Sequence, residues 1–181
     1  LGLQKTIKGD RDIMKVRPAK KSDLSDIVSC AERIKSEYFL RHDIPQWNNG
    51  YPSKEDFSAD IEAGRLFVMY LGEALIGFIS VGIEHEPTYD SVEGGAWKSP
   101  ESYAVVHRFG INPDWHGMGM GTSLFGIVPR ICEANDIHAI RADTHEKNAA
   151  MISFLEKNGF ERVGIIHLAN GEPRVAFEKI L

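Results

Sequence analysis

The sequence predicts an α/β (α+β) fold, a mixed central sheet of about six to seven strands flanked by helices. Three observations predict it. Two runs rich in β-forming residues, 66–71 and 74–83, flank Gly72-Glu73 and read as an antiparallel hairpin. From Tyr103 onward, strand-like and helix-like segments alternate, which implies parallel pairing in the second half. Ahead of the hairpin, Leu24, Ile27, Val28, Ala31 and Ile34 recur at helical spacing.

In chain order, residues 15–18 form a short strand that Pro18 ends. Ser22-Asp23 caps the first helix. A loop over 41–51 follows, with Pro45, two asparagines and Gly50. Ser53 caps a second helix over 54–63, which Gly64 closes. After the hairpin comes a long connection, 85–102, and loops of that length in a compact domain are usually functional or disordered. The remaining elements are a strand over 103–111, a helix over 119–135, a strand over 139–144, a helix over 148–158, and strands over 160–166 and 174–180 joined by a turn at Asn170-Gly171. Pro129 inside the 119–135 helix lacks the N–H that would bond the Phe125 carbonyl, so a kink is expected there, helped by Gly126.

At 181 residues the chain suits one domain. Residues 1–13 read as a polar leader, and the domain is expected over 14–181. The net charge of −5 argues against a nucleic-acid binder, whose surface is usually basic. The two cysteines, Cys30 and Cys132, read as reduced, buried thiols of a cytoplasmic protein. No run of 18 apolar residues suggests a membrane span, and no apolar stretch after the N-terminus suggests a secretion signal. His42, His85, His138 and His167 are scattered without ligand spacing, so no metal is expected.

The chemistry concentrates at 111–122. Gly117, Gly119 and Gly121 recur at every second position and a helix begins there. Glycines let successive backbone N–H groups converge on an anion with no Cβ in the way, so a phosphate-bearing ligand is implied. The plain alternative is a flexible turn. A nucleoside-triphosphate loop would place a lysine before the Ser or Thr, but Gly121 precedes Thr122. A dinucleotide turn would open straight from a strand as G-x-G-x-x-G, but here a polar stretch, 112–116, intervenes.

The stretch His116-Gly117-Met118-Gly119-Met120-Gly121, with Ile111 five positions upstream, resembles the coenzyme A loop of the GNAT superfamily of acetyl-CoA-dependent N-acetyltransferases. Its signature begins with Arg or Gln, where this chain has His116. A second GNAT motif is similar: Asn148 opening the next helix, then Gly159-Phe160 after it. The resemblance covers nearly all of Met14 to Leu181. It implies that Phe109, Gly110 and Ile111 pair with the pantetheine where the strand parts from 139–144. It further implies that His116, Gly117, Met118, Gly119, Met120, Gly121 and Thr122 cradle the pyrophosphate, and that Asn148 stands beside them. It also implies a backbone N–H near a bulge that stabilises the oxyanion.

Around that loop, His107 is placed to serve as a base, and the alternative is a core histidine bonded to backbone. Arg108 reads as half of a structural ion pair. Glu84 and Glu86 end the hairpin, and a base, an amine anchor or a solvated charge are all open readings. Asp143 and His145 read as strand-end caps. Trp47, Tyr51, Tyr89, Trp97 and Tyr103 fall in segments able to wall a small-ligand pocket. The tyrosine that protonates the departing sulfur in many GNAT enzymes corresponds to Leu155, so no such acid is expected on that helix. Tyr103 is the nearest substitute by strand position.

The expected function is transfer of the acetyl group of acetyl-CoA to an amine by direct attack on the thioester. A non-catalytic acyl-CoA sensor is the alternative, and a nucleotide-binding protein a weaker third. The acidic residues of 84–101 suggest a small cationic acceptor. A homodimer through a strand edge near the C-terminus is a further expectation.

Overall fold

The computed structural model describes residues 14–99 and 102–181. The 1–13 leader and Glu101 lie outside the described residues. A seven-stranded sheet runs in the order β1-β2-β3-β4-β5-β7-β6. Its strands are β1 (Met14–Pro18), β2 (Leu66–Leu71), β3 (Ala74–Gly82), β4 (Ala104–Ile111), β5 (Ala139–Thr144), β6 (Glu161–His167) and β7 (Pro173–Ile180). The helices are α1 (Leu24–Ile34), α2 (Lys54–Glu62), α3 (Met120–Phe125), α4 (Ile127–Ala134) and α5 (Ala149–Lys157).

The expected parallel pairing is confined to β4 and β5. β5 and β6 run the same way, but β7 lies between them, antiparallel to both. Burial explains the insertion. Val175, Ala176, Phe177 and Glu178 are consecutive and all buried, which demands a strand covered on both faces. β6 carries exposed Glu161 and Arg162 and suits an edge. The edge near the C-terminus is therefore β6, and part of it is covered by reciprocal hydrogen bonds between Glu93 and Ile165, 2.8 and 2.9 Å.

Each face of the sheet holds a core. On one, α1 and α2 bury Ile27, Ile34 and Phe57 against Val68 and Phe78. On the other, α3, α4 and α5 bury Leu124, Val128 and Leu155 against Ile79, Ile140 and Phe177. The expected single helix over 119–135 breaks at Gly126 into α3 and α4. That break places Pro129 in the first turn of α4, where a missing N–H costs nothing. The first helix starts earlier than expected, through a 3-10 turn at Lys21–Asp23, and continues past Ile34 as a π turn, Lys35–Phe39. Asp23 does not cap α1 with its side chain; its carboxylate takes the Lys20 N–H at 2.7 Å and the Arg17 guanidinium at 2.7 and 2.9 Å. Ser53 caps α2 as expected, accepting the Asp56 N–H at 3.1 Å. Cys30 and Cys132 are buried, unpaired thiols, and burial pushes the Cys30 thiol up to about 12. Among the described residues no helix is long and apolar enough to cross a membrane.

Candidate active site

β4 and β5 pair only from Ala104–Ile140 to Val106–Ala142 and then part. Between the pairs Phe78–Gly110 and Ser80–His107, β3 offers Ile79 alone while β4 offers both Arg108 and Phe109. This is a bulge, with Arg108 at φ +43°, and a bulge bends and twists its strand. β5 keeps its regular pairing with β7 as far as Thr144–Val175. Two cavities meet at the parting and share Phe39, Phe109, Asn148 and Met151.

The first is a groove of about 610 Å³ between the end of β4, the glycine loop and α5. Gly117 and Gly119 both have φ +75°, and a Cβ on either would meet nothing within 4 Å. Their backbone therefore faces open space, as an anion cradle requires. Gly121 is packed differently: its Cβ would lie 3.3 Å from the Phe154 ring. His116 Nε2 donates to the Ile111 carbonyl at 2.8 Å, because a carbonyl can only accept. Its ring stands edge-on to Tyr38 at 5.5 Å. The turn entering the loop is clamped to α1: Arg33 bonds both oxygens of Asp114 at 2.9 Å and Asn112 Oδ1 at 3.0 Å. Asn148 caps α5 by accepting the Met151 N–H at 3.2 Å, and donates to Gln46 Oε1 at 3.0 Å.

The second cavity, about 540 Å³, lies on the other side of the parting. Glu84, Glu86, His107, Arg108, Asp143 and Arg174 are among the polar residues that line it. His107 Nε2 is 3.3 Å from Glu86 Oε2, and both side chains are 22% exposed. The His107 bond, followed by the Thr88 hydroxyl and N–H, lowers the Glu86 carboxyl to about 2 despite its burial. Arg108 reaches the wholly buried Asp60 at 2.6 and 2.7 Å and the Tyr51 hydroxyl at 2.8 Å. Burial pushes the Asp60 carboxyl up, but its bonds to Arg108 and Arg65 outweigh this and hold it below the usual range. Glu84 is paired with Arg65, and Arg174 with Glu172 at 2.8 Å.

The long connection is fixed to this wall at several points. The Tyr89 hydroxyl, fully buried, donates to Asp143 Oδ2 at 2.8 Å. Gly95 lies so close to β6 that a Cβ would sit 1.8 Å from the Val163 carbonyl oxygen. Glu178, buried beside Arg141 at 3.0 Å, accepts the Lys98 N–H at 2.5 Å. Arg141 in turn lies 4.2 Å from the Trp97 ring and 3.8 Å from the Tyr103 ring.

A family model described as acetyltransferase (GNAT) family matches residues 30–160, most of the chain. The chain belongs to the GNAT acetyltransferase family. A GNAT-family acetyltransferase of Streptococcus agalactiae shares 29% identity and a TM-score of 0.83, over 93% of this chain and 95% of that one. The PaiA N-acetyltransferase of Thermoplasma acidophilum, solved in complex with coenzyme A, shares the fold at 19% identity, TM-score 0.71, over 93% and 99%. YncA of Salmonella typhimurium, solved with acetyl-CoA, shares it at 17%, TM-score 0.68, over 94% and 95%. No curated protein sequence matches significantly.

In this GNAT domain the structure brings most of the expected residues together. Phe109, Gly110, Ile111, His116, Gly117, Gly119, Met120, Gly121, Thr122 and Asn148 all line the groove. Met118 does not, and it is 59% exposed. His107 and Glu84 line the second cavity. His107 is not a core histidine bonded to backbone, since it faces Glu86. Arg108, expected in a structural ion pair, does pair with Asp60, and it also lines the cavity beside His107 because the bulge breaks the alternation of the strand. Tyr103 lies outside the lining; its hydroxyl accepts the Glu86 N–H at 3.2 Å and its ring packs on Arg141. Leu155 packs in the core and also borders the second cavity. Asp143 is no strand-end cap: it reaches the cavity and holds Tyr89. Asp60, Gln46 and Arg174 were not legible in the sequence, because their partners are remote from them along the chain or supplied only by the cavity.

Proposed function

We propose that this GNAT domain transfers the acetyl group of acetyl-CoA to a small polar amine by direct attack on the thioester. The observation that carries the reading is the meeting of the two cavities at the parting of β4 and β5. One wall presents open glycine backbone suited to phosphates, and the other presents titratable side chains suited to an amine. His107, with its Nε2–H directed at the Glu86 carboxylate, accepts the proton of the incoming ammonium at Nδ1. Glu86, held as a carboxylate across the neutral range, stabilises the resulting imidazolium. The amine nitrogen then bonds the acetyl carbon, the carbon–sulfur bond breaks, and the sulfur leaves as thiolate. With a leucine at 155 on the cavity wall, α5 supplies no acid at that position. A thiol of reference pKa about 8.5 leaves at pH 7 with a disadvantage of roughly 2 kcal/mol, which slows the step without forbidding it. Two unpaired, buried thiols fit a reducing, cytoplasmic setting.

The test is release of free thiol from acetyl-CoA in the presence of a panel of amines. Turnover with at least one amine, reduced at least a hundredfold in His107→Gln, is the expected result. Binding of acetyl-CoA with no thiol release for any amine would instead favour a sensor.

A further inference from the structure

Four carboxylates line the acceptor cavity, Glu84, Glu86, Asp143 and Glu172. Three have basic partners: Arg65 for Glu84, His107 for Glu86 and Arg174 for Glu172. Asp143 makes no salt bridge among the described residues; His107 and Arg174 act on it only from a greater distance. The hydrogen bond it receives there comes from the Tyr89 hydroxyl to Oδ2, 2.8 Å, which leaves Oδ1 for a ligand. Its position is equally specific. Val106 and Ala142 are the last residues of β4 and β5 to pair. His107 and Asp143 come next on each arm, so they face the same space from opposite sides of the parting.

We propose that Asp143 binds the ammonium group of the acceptor opposite His107, and that Tyr89 is a positioning residue that orients and tunes it. This rests on the acetyl-transfer reading and deepens it by naming the acceptor as an amine that enters charged. A carboxylate with no salt bridge, at the wall of a cavity, suits a cationic ligand that can contact it directly. The ammonium donates one N–H to Oδ1 of Asp143 and gives one proton to His107. A second proton leaves the nitrogen as the amide forms and ends on the departing sulfur. Ammonium and thioester thus become amide, free thiol and one released proton.

The surroundings of Asp143 give the proposal a pH signature. Tyr89 and Glu86 face it from the connection, His107 from β4, Arg174 from β7 and Tyr51 from the loop before α2. Burial, with Glu86 in the same sense, raises its carboxyl above the usual range, against Tyr89, His107 and Arg174. The ionised form is needed to hold the ammonium, so acceptor affinity falls as pH drops through that raised value. Because the charge is disfavoured by the fold at neutral pH, Asp143→Asn relieves a cost and should fold at least as well.

The experiment measures acceptor KM and kcat, and separately calorimetric binding of glycinamide, tyramine and spermidine to the CoA-saturated protein. Asp143→Asn should raise KM, or weaken binding, at least tenfold, with acetyl-CoA affinity unchanged. Tyr89→Phe removes a donor to the carboxylate, so the acid limb of kcat/KM for the acceptor should move to higher pH. A merely structural tyrosine would lower the melting temperature and leave that limb in place. The proposal is overturned if Asp143→Asn changes KM or binding less than twofold, if the limb does not move, or if the wild type binds none of the amines. Amine binding lost in Asp143→Asn without any thiol release would support Asp143 while overturning acetyl transfer.

Discussion

Gly119 and Gly121 sit two residues apart in the same loop, yet they resist substitution for different reasons. Gly119 has φ +75° with open space around a Cβ, so a side chain costs about 1–2 kcal/mol of backbone strain and projects into the groove. Gly121 is helical and confined by Phe154. Gly119→Val and Gly121→Val are both expected to abolish stabilisation by acetyl-CoA while leaving a folded protein, which melting curves with and without the ligand would check. Glu86 offers a pH test. Its carboxyl is lowered to about 2 by His107 and Thr88, so its ionised form stabilises the fold above its ordinary pKa of about 4.3. That contribution fades as pH falls toward 2. The stability difference between the wild type and Glu86→Gln should therefore be full at pH 6 and shrink steadily below pH 4 in denaturant titrations. Tyr103 gives the opposite kind of test. Its hydroxyl is engaged by the Glu86 N–H, outside the cavity lining. Tyr103→Phe should lower kcat less than tenfold, and a hundredfold loss with binding intact would show that a dedicated acid exists.

The connection between β3 and β4 is the element that carries Glu86 and Tyr89 to the site. It is docked by backbone proximity more than by side-chain volume. At Gly95 a Cβ would strike the Val163 carbonyl oxygen, and at Gly164, φ +147°, it would strike Val92 and the Glu93 carbonyl oxygen. Both glycines are required for the Glu93–Ile165 bridge to form. Gly94, with φ +73° and nothing near, needs glycine only for its backbone conformation. Gly95→Ala should therefore loosen the whole connection, raising acceptor KM several-fold and increasing amide exchange over 86–99. Gly94→Ala should cost only about 1 kcal/mol and leave kinetics unchanged. Equal effects of the two changes would show that docking at β6 does not organise the site.

At the scale of the whole molecule, the groove proposed for acetyl-CoA is built from elements that lie far apart in the chain, so occupancy should stabilise the entire domain. At about 100 times Kd, linkage gives roughly 2.7 kcal/mol. For a domain of this size that corresponds to a rise in melting temperature of roughly 5–10 °C. No rise at millimolar acetyl-CoA would contradict the assignment of the groove. The sheet topology makes the effect cooperative: β4 belongs to both cavities, and α1 is tied to the loop entrance through Arg33 and Asp114.

The local signals in the sequence were enough to determine the strands, the hairpin at Gly72, the cap at Ser53 and the glycine loop with Asn148 behind it, whereas the kink expected at Pro129 is instead a break into two helices at Gly126. Each depends on residues within a few positions of one another, where spacing and backbone preference act directly. The order of the last strands depended on tertiary structure, because four consecutive buried residues in β7 favour an interior position that no local pattern states. The acceptor side depended on it even more. Asp60 meets Arg108, Tyr89 meets Asp143 and Glu86 meets His107 across separations of 48, 54 and 21 residues. The bulge at Arg108 then turns two adjacent side chains toward one cavity, against the simple alternation of a strand. Such pairings are selected by the desolvation of charges inside a packed fold, and that free energy exists only once the chain has closed around them.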